Sequence, residues 1–96
     1  MEDGTTALFL AAEGGNEAAI KTLLGAGADV HKVQTDGCAP STIAAEFGKL
    51  GAVRALLKAG GDVHKPSNDG VTPLIAAAQH GHAVVVMALL KSGRGG

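Results

Sequence analysis

The sequence has no tryptophan and no tyrosine, and its two aromatic residues are Phe9 and Phe47. A core with so few rings cannot be built by interlocking aromatics, so small aliphatic side chains must bring backbones close together. Cys38 stands alone, which excludes an intramolecular disulfide and fits a reducing compartment. Neither sign of charge dominates: eight basic residues face nine acidic ones, for a net charge of −1. Phosphate binding needs a basic patch, so nucleic acid is excluded as a partner. The longest apolar run, Ala83 to Leu90, is too short to cross a bilayer, and Met1 to Leu10 carries acids where a signal peptide carries bases. No membrane partner is expected, and the chain reads as soluble, intracellular and cytoplasmic.

What the chain does contain is a repeat. Asp69-Gly70-Val71-Thr72-Pro73-Leu74 has copies 33 residues upstream at Asp36-Gly37-Cys38-Ala39-Pro40 and again at Asp3-Gly4-Thr5-Thr6-Ala7-Leu8. Leu23-Leu24, Leu56-Leu57 and Leu89-Leu90 keep the same spacing, and Gly27-Ala28-Asp29-Val30-His31 matches Gly60-Gly61-Asp62-Val63-His64. A fixed period in this range means stacked structural units. The reading is one domain over 1–96, with repeats at 3–35, 36–68 and 69–96, the last truncated.

Within each repeat the apolar spacing gives two short helices. They are expected at about 7–14 and 17–25, 40–47 and 50–59, and 73–80 and 83–92, each stopped by glycine. Pro40 and Pro73 fall at first helical positions, where a missing N–H costs nothing. Asp29 to Ala39 and Asp62 to Thr72 lack a helical period and read as extended fingers reversed by Asp-Gly turns. Asp3-Gly4 reads as a turn as well, and Arg94 to Gly96 as a frayed end. The second copy is the worn one: Ala39 stands where Thr72 would cap a helix, and Ser41 where Leu74 would fill the core. Losing such a cap costs roughly 1 kcal/mol, so local softness is expected there.

The residues Asp69-Gly70-x-Thr72-Pro73-Leu74-x-x-Ala77-Ala78-x-x-Gly81-His82, followed by Val85-Val86-x-x-Leu89-Leu90-x-x-Gly93, resemble an ankyrin repeat. The 33-residue period agrees, and the resemblance covers essentially the whole chain. It implies an all-α repeat solenoid, a gently curved stack of helix-turn-helix units with projecting β-hairpin fingers. It also implies a scaffold for protein recognition, with no chemistry and no cofactor. The chain departs from the pattern at Ile75, Phe9 and Thr42, where a histidine is usual, and at His31 and His64, where an asparagine is usual. Neither end carries the polar capping repeat that arrays need for solubility, so the chain reads as a fragment of a longer array or as one whose ends are covered. Val84, Val85, Val86, Met87 and Leu90 at one end, and Phe9 and Leu10 at the other, are the residues expected to lie uncovered. They make self-association, or a purely structural role, the alternative function.

Catalytic patterns are missing. His31 and His64 occupy equivalent sites on neighbouring fingers, on the order of 10 Å apart, whereas ligands of one zinc each lie about 2.0–2.1 Å from it. They cannot share an ion. By the resemblance, His82 ties loops together, and His80 alone makes no site. Cys38 is expected near an exposed finger tip beside Asp36, whose charge opposes thiolate formation, so it is no nucleophile. No glycine pair is followed by Gly-Lys-Ser/Thr, and no His-Glu-x-x-His or Gly-x-Ser-x-Gly occurs, so no enzyme is expected.

The resemblance places a concave binding face on the finger residues around each Asp-Gly turn and on the outer side of each first helix. On the fingers these are Thr5, Gln34, Thr35, Asp36 and Cys38, then Ser67, Asn68, Asp69 and Val71. On the helices they are Glu13, Glu46, Phe47, Gln79 and His80. Lys21, Lys49, Arg54, Lys58 and Lys91 fall on or beside the second helices, so the chain is expected to be acidic in front and basic behind. A partner with a basic surface would associate faster with such a face.

Overall fold

The computed structural model describes residues 4–95, with side chains described from 7 to 92. Among them six helices run in order: α1 (Gly4–Gly14), α2 (Glu17–Gly25), α3 (Pro40–Glu46), α4 (Leu50–Lys58), α5 (Pro73–Gln79) and α6 (Ala83–Gly95). They pack in two rows. The first helices α1, α3 and α5 lie side by side, as do α2, α4 and α6, and each first helix packs on the second helix that follows it.

Small side chains make this spacing possible. Ala12, Ala44, Ala45, Ala52 and Ala77 have virtually no exposed surface, and Leu8, Ile20, Val53, Leu56, Val85 and Leu89 fill the space between the rows. Each apolar side chain so buried contributes roughly 1.5–3 kcal/mol.

Helix boundaries follow local chemistry. Pro40 and Pro73 open α3 and α5, and the residue before a proline is kept out of the helical region, so Ala39 and Thr72 are extended at ψ 161° and 167°. In the first copy Ala7 takes the proline's place, and α1 accordingly starts at Gly4 instead of forming the expected turn. Asp3 lies outside the described residues. At the other end α6 continues to Gly95, past the expected stop. The fraying expected from Arg94 to Gly96 is not seen at Arg94 and Gly95, whose backbone stays helical, and Gly96 lies outside the described residues.

The fingers are simpler than hairpins. Among the described residues no strand forms, and each finger is closed by one cross-pair, Gln34 N–H to the Cys38 carbonyl or Ser67 N–H to the Val71 carbonyl, both at 2.9 Å. The turn is also one residue longer than an Asp-Gly pair alone would give. Gly37 N–H bonds to the Gln34 carbonyl, so Thr35 and Asp36 are the central residues and Gly37, at φ +83°, follows them. Among the described residues no other residue type has positive φ, so Thr35 and Asp36 do not form a mirror-image turn. Gly37 also lies against the next finger: a Cβ there would sit 2.8 Å from the backbone nitrogen of Asn68.

Burial separates the apolar residues expected at the open ends. Val85 is 2% exposed and belongs to the core, as does its equivalent Ala52 one repeat earlier. Val86 is half-buried against that core, and Phe9 is half-buried too. Leu10 and Leu90 remain uncovered. The second repeat, expected to be soft, is covered on both sides, with Pro40, Ser41, Thr42, Ala44 and Ala45 all buried.

Candidate functional site

Stacking two fingers against two first helices creates a cleft of about 210 Å³. Finger residues Asp36, Cys38, Ser67, Asp69 and Val71 form one wall, and Glu46, Gln79 and His80 form the other. These eight are among the positions expected from the sequence. Thr42 and Ala76 complete the lining. Both were missed, although each lies one helical turn before an expected residue, Thr42 before Glu46 and Ala76 before His80, so the i, i+4 spacing could have found them.

Several expected residues stand elsewhere. Glu13 is exposed on α1, and the side chain of Thr5 lies outside the described residues. Phe47 ends α3 as its C-cap and is 45% exposed, outside the cleft lining and outside the hydrophobic core. Gln34 contributes its backbone to the finger closure. Thr35 and Asn68 hold the fingers together: Asn68 donates from its side chain to the Thr35 carbonyl at 3.0 Å and from its backbone to the Asp36 carbonyl at 2.8 Å. The amide of Asn68 is thus committed to positioning.

The carboxylates of the cleft are partly engaged. Asp36 accepts from the Cys38 backbone N–H at 3.0 Å, and Asp69 accepts from the Ser67 hydroxyl at 2.6 Å. Each has lone pairs left over, since a carboxylate offers about four acceptor sites. His80 donates from Nδ1 to the Ala76 carbonyl at 3.0 Å, which turns its other nitrogen toward Glu46, 4.0 Å away.

Cys38 reports the field inside the cleft. Its thiol is half-buried, where exposure at a finger tip was expected, with Sγ 3.7 Å from the Ala39 carbonyl. Burial pushes its pKa up to about 11, helped by the charges of Asp36, Glu46 and Asp69. Three carboxylates therefore act on one point, and the thiol stays protonated at neutral pH.

Other polar residues have local roles. Asp29 and Asp62 accept from the backbone N–H groups of His31 and His64, at 2.9 and 2.8 Å, and so hold the bends that lead into each finger. Among the described residues no three His, Cys, Asp or Glu side chains gather as metal ligands would, and no helix is long and apolar enough to cross a membrane. Lys21, Arg54, Lys58 and Lys91 lie on the second helices, and Lys49 stands just before α4 with no side-chain capping bond. The described ion pair is Lys21–Glu17, at 3.3 Å; the His80–Glu46 contact is one only with a protonated ring.

No curated protein matches the chain. A family model described as ankyrin repeats matches in three copies over residues 8–95, which takes in both fingers and all six helices but for the first turn of α1. Ankyrin repeats are generally modules for protein interaction and generally carry no enzymatic activity. With the repeat, the paired rows of helices and the tied fingers all in the same register, the chain belongs to the ankyrin repeat family.

Proposed function

We propose that this protein is a non-enzymatic recognition module that binds a partner protein through the cleft between its fingers and first helices. The observation that carries the reading is the convergence of Asp36, Glu46 and Asp69 on that cleft, which has no lysine or arginine in its lining. A lysine or arginine side chain of the partner would complete it. Such a contact adds mainly to association rate and selectivity, while affinity comes from apolar anchors, for which Val71 in the lining and the half-exposed Phe47, next to Glu46 in the chain, are the available side chains.

Selection of a random peptide library on the wild-type protein tests this. Enriched peptides are expected to be rich in lysine or arginine, and their binding should weaken in Glu46→Lys and Phe47→Ala with helicity unchanged. Enrichment of sequences without basic residues would overturn the charge argument, and loss of fold in Phe47→Ala would overturn its assignment to a binding face.

A second reading, self-association through the ends of the stack, is favoured by one specific comparison. Leu10 is 62% exposed, whereas its equivalent Ala76 in the third repeat is 2% exposed, and Ile75 is 40% exposed where Thr42 is 3%. These positions are buried or half-buried wherever a neighbouring repeat packs on them, as at Ile43 and Phe9. A solution mass that rises above 9.4 kDa with concentration, and that Ile75→Lys returns to monomer, would support it. A constant monomer mass would remove it.

A further inference from the structure

The side of the molecule away from the cleft carries a second concave feature. Along the line where α4 packs on α6 lie two depressions of about 350 and 340 Å³, which share Arg54, Ala88 and Lys91 and therefore run together. Leu57 and Ala88 line one part, and Val84 and Met87 line the other. Val84 is 62% and Met87 55% exposed. At Met87 a missing neighbour does not account for the exposure, because the equivalent Arg54 one repeat earlier already lies beside a packed neighbour and is still exposed; Gly51, the equivalent of Val84, is half-buried. At Met87 the other two copies carry Lys21 and Arg54, both exposed, so the third copy places a large flexible apolar side chain where its siblings place a solvated cation. Three cations, Arg54, Lys58 and Lys91, surround this floor, and no acidic residue lines either depression. None of the three takes part in the ion pairs among the described residues.

An apolar floor with a rim of one sign selects a ligand with an apolar stripe flanked by the opposite sign. Methionine suits such a surface, because its unbranched thioether adapts to the shape of what docks. We propose that the α4–α6 groove is a second docking surface, which takes an acidic amphipathic helix from a partner protein. Val84 and Met87 meet the apolar stripe, and Arg54, Lys58 and Lys91 meet the carboxylates on either side. An elongated groove fits a segment better than a flat membrane surface. Nothing in this assignment depends on the cleft at the opposite side.

The probe is a fluorescein-labelled helical peptide with leucine and phenylalanine at i, i+3, i+4 and i+7 and glutamate beside them, followed by fluorescence anisotropy on the full chain. Wild type is expected to bind it, more weakly as salt rises, and Met87→Glu and Arg54→Glu should each lose about tenfold, the effect of one lost anchor. Lys32→Ala, at an exposed position outside the groove, should bind as wild type does. Both test positions are exposed, so circular dichroism is expected to stay unchanged; should Met87→Glu lose helicity, Lys91→Glu makes the same test from the rim. Equal binding of a peptide with lysine in place of glutamate would overturn the proposal, and so would a Met87→Glu variant that binds normally. Absence of peptide binding alongside Met87-dependent binding to phosphatidylserine vesicles would replace it with a membrane surface. A dimer in solution that Met87→Glu dissociates would replace it with a second copy of this chain.

Discussion

His82 donates from Nε2 to the backbone carbonyl of Glu46 across 2.9 Å, joining residues 36 positions apart. The carbonyl can only accept, so the proton sits on Nε2, and the loop after α5 is tied to the end of α3. The same ring covers Gly48, where φ is +68° and a Cβ would lie 2.5 Å from Nδ1. Gly48→Ala is expected to cost about 2 kcal/mol or more, part from the left-handed backbone and part from displacing the ring. In a His82→Ala background the second part has no target, so the two substitutions should couple by about 1 kcal/mol. Urea unfolding of the four variants measures this, and strict additivity would mean that ring and methyl do not compete.

Ala39 and Thr72 sit at the same place in successive copies, with φ and ψ of −88° and 161° against −91° and 167°. Thr72 accepts from the Ile75 N–H at 3.2 Å, and Ala39 offers no side-chain acceptor. Because the backbone is already in place, Ala39→Thr should stabilise the protein by about 0.5–1 kcal/mol and Thr72→Ala should destabilise it by about the same amount. Urea midpoints should move in opposite directions with unchanged slopes. A destabilised Ala39→Thr would mean that the buried site has no room for the added atoms.

The rows of helices were legible in the sequence because each depends on residues close in the chain. Glycine stops, prolines at first positions and the Leu-Leu pairs fix α2, α3, α4 and α5 almost to the residue. The ends of the array were less legible, since α1 starts where a missing proline at Ala7 leaves the chain free, a negative signal that is easy to overlook. Eight of the fourteen expected positions line the cleft, because the period places equivalent residues on one side, and five of the other six do not, the side chain of Thr5 lying outside the described residues. Burial was harder to read. Val84, Val85 and Met87 lie within one helical turn and are all apolar, yet Val85 belongs to the core and the other two line a groove, a distinction set by the side of α6 that each occupies. Cys38 shows the same limit, for its half-burial depends on the neighbouring finger and on α3.

That burial gives Cys38 a pH signature. With the thiol pKa pushed up from 9.0 to about 11, little thiolate exists at pH 8, and alkylation by iodoacetamide should be slower in the native protein than in urea. The native rate should climb as pH approaches 11. The sign for stability follows: between about pH 9 and 11 the unfolded chain gives up the proton that the native chain still holds, so stability falls as pH rises through this window and levels off above it. Cys38→Ser should flatten that part of the profile. A native labelling rate equal to the unfolded one at pH 8 would show the thiol to be open to solvent.

Asn68 is the remaining test of how the fingers are held. Its side chain reaches the Thr35 carbonyl and its backbone the Asp36 carbonyl, so the second finger buttresses the first. Asn68→Ala removes the side-chain bond at an exposed site, and the global cost should be modest, about 0.5–1.5 kcal/mol. The local effect should be larger. Gln34, Gly37 and Cys38 all donate hydrogen bonds within the first finger, and their amides should exchange faster in the variant than the global loss explains. Amides of the buried helix α4 should follow only the global change. If hydrogen exchange instead slows or speeds uniformly along the chain, the fingers unfold with the helices as one unit, and Asn68 adds stability without setting the shape of the cleft.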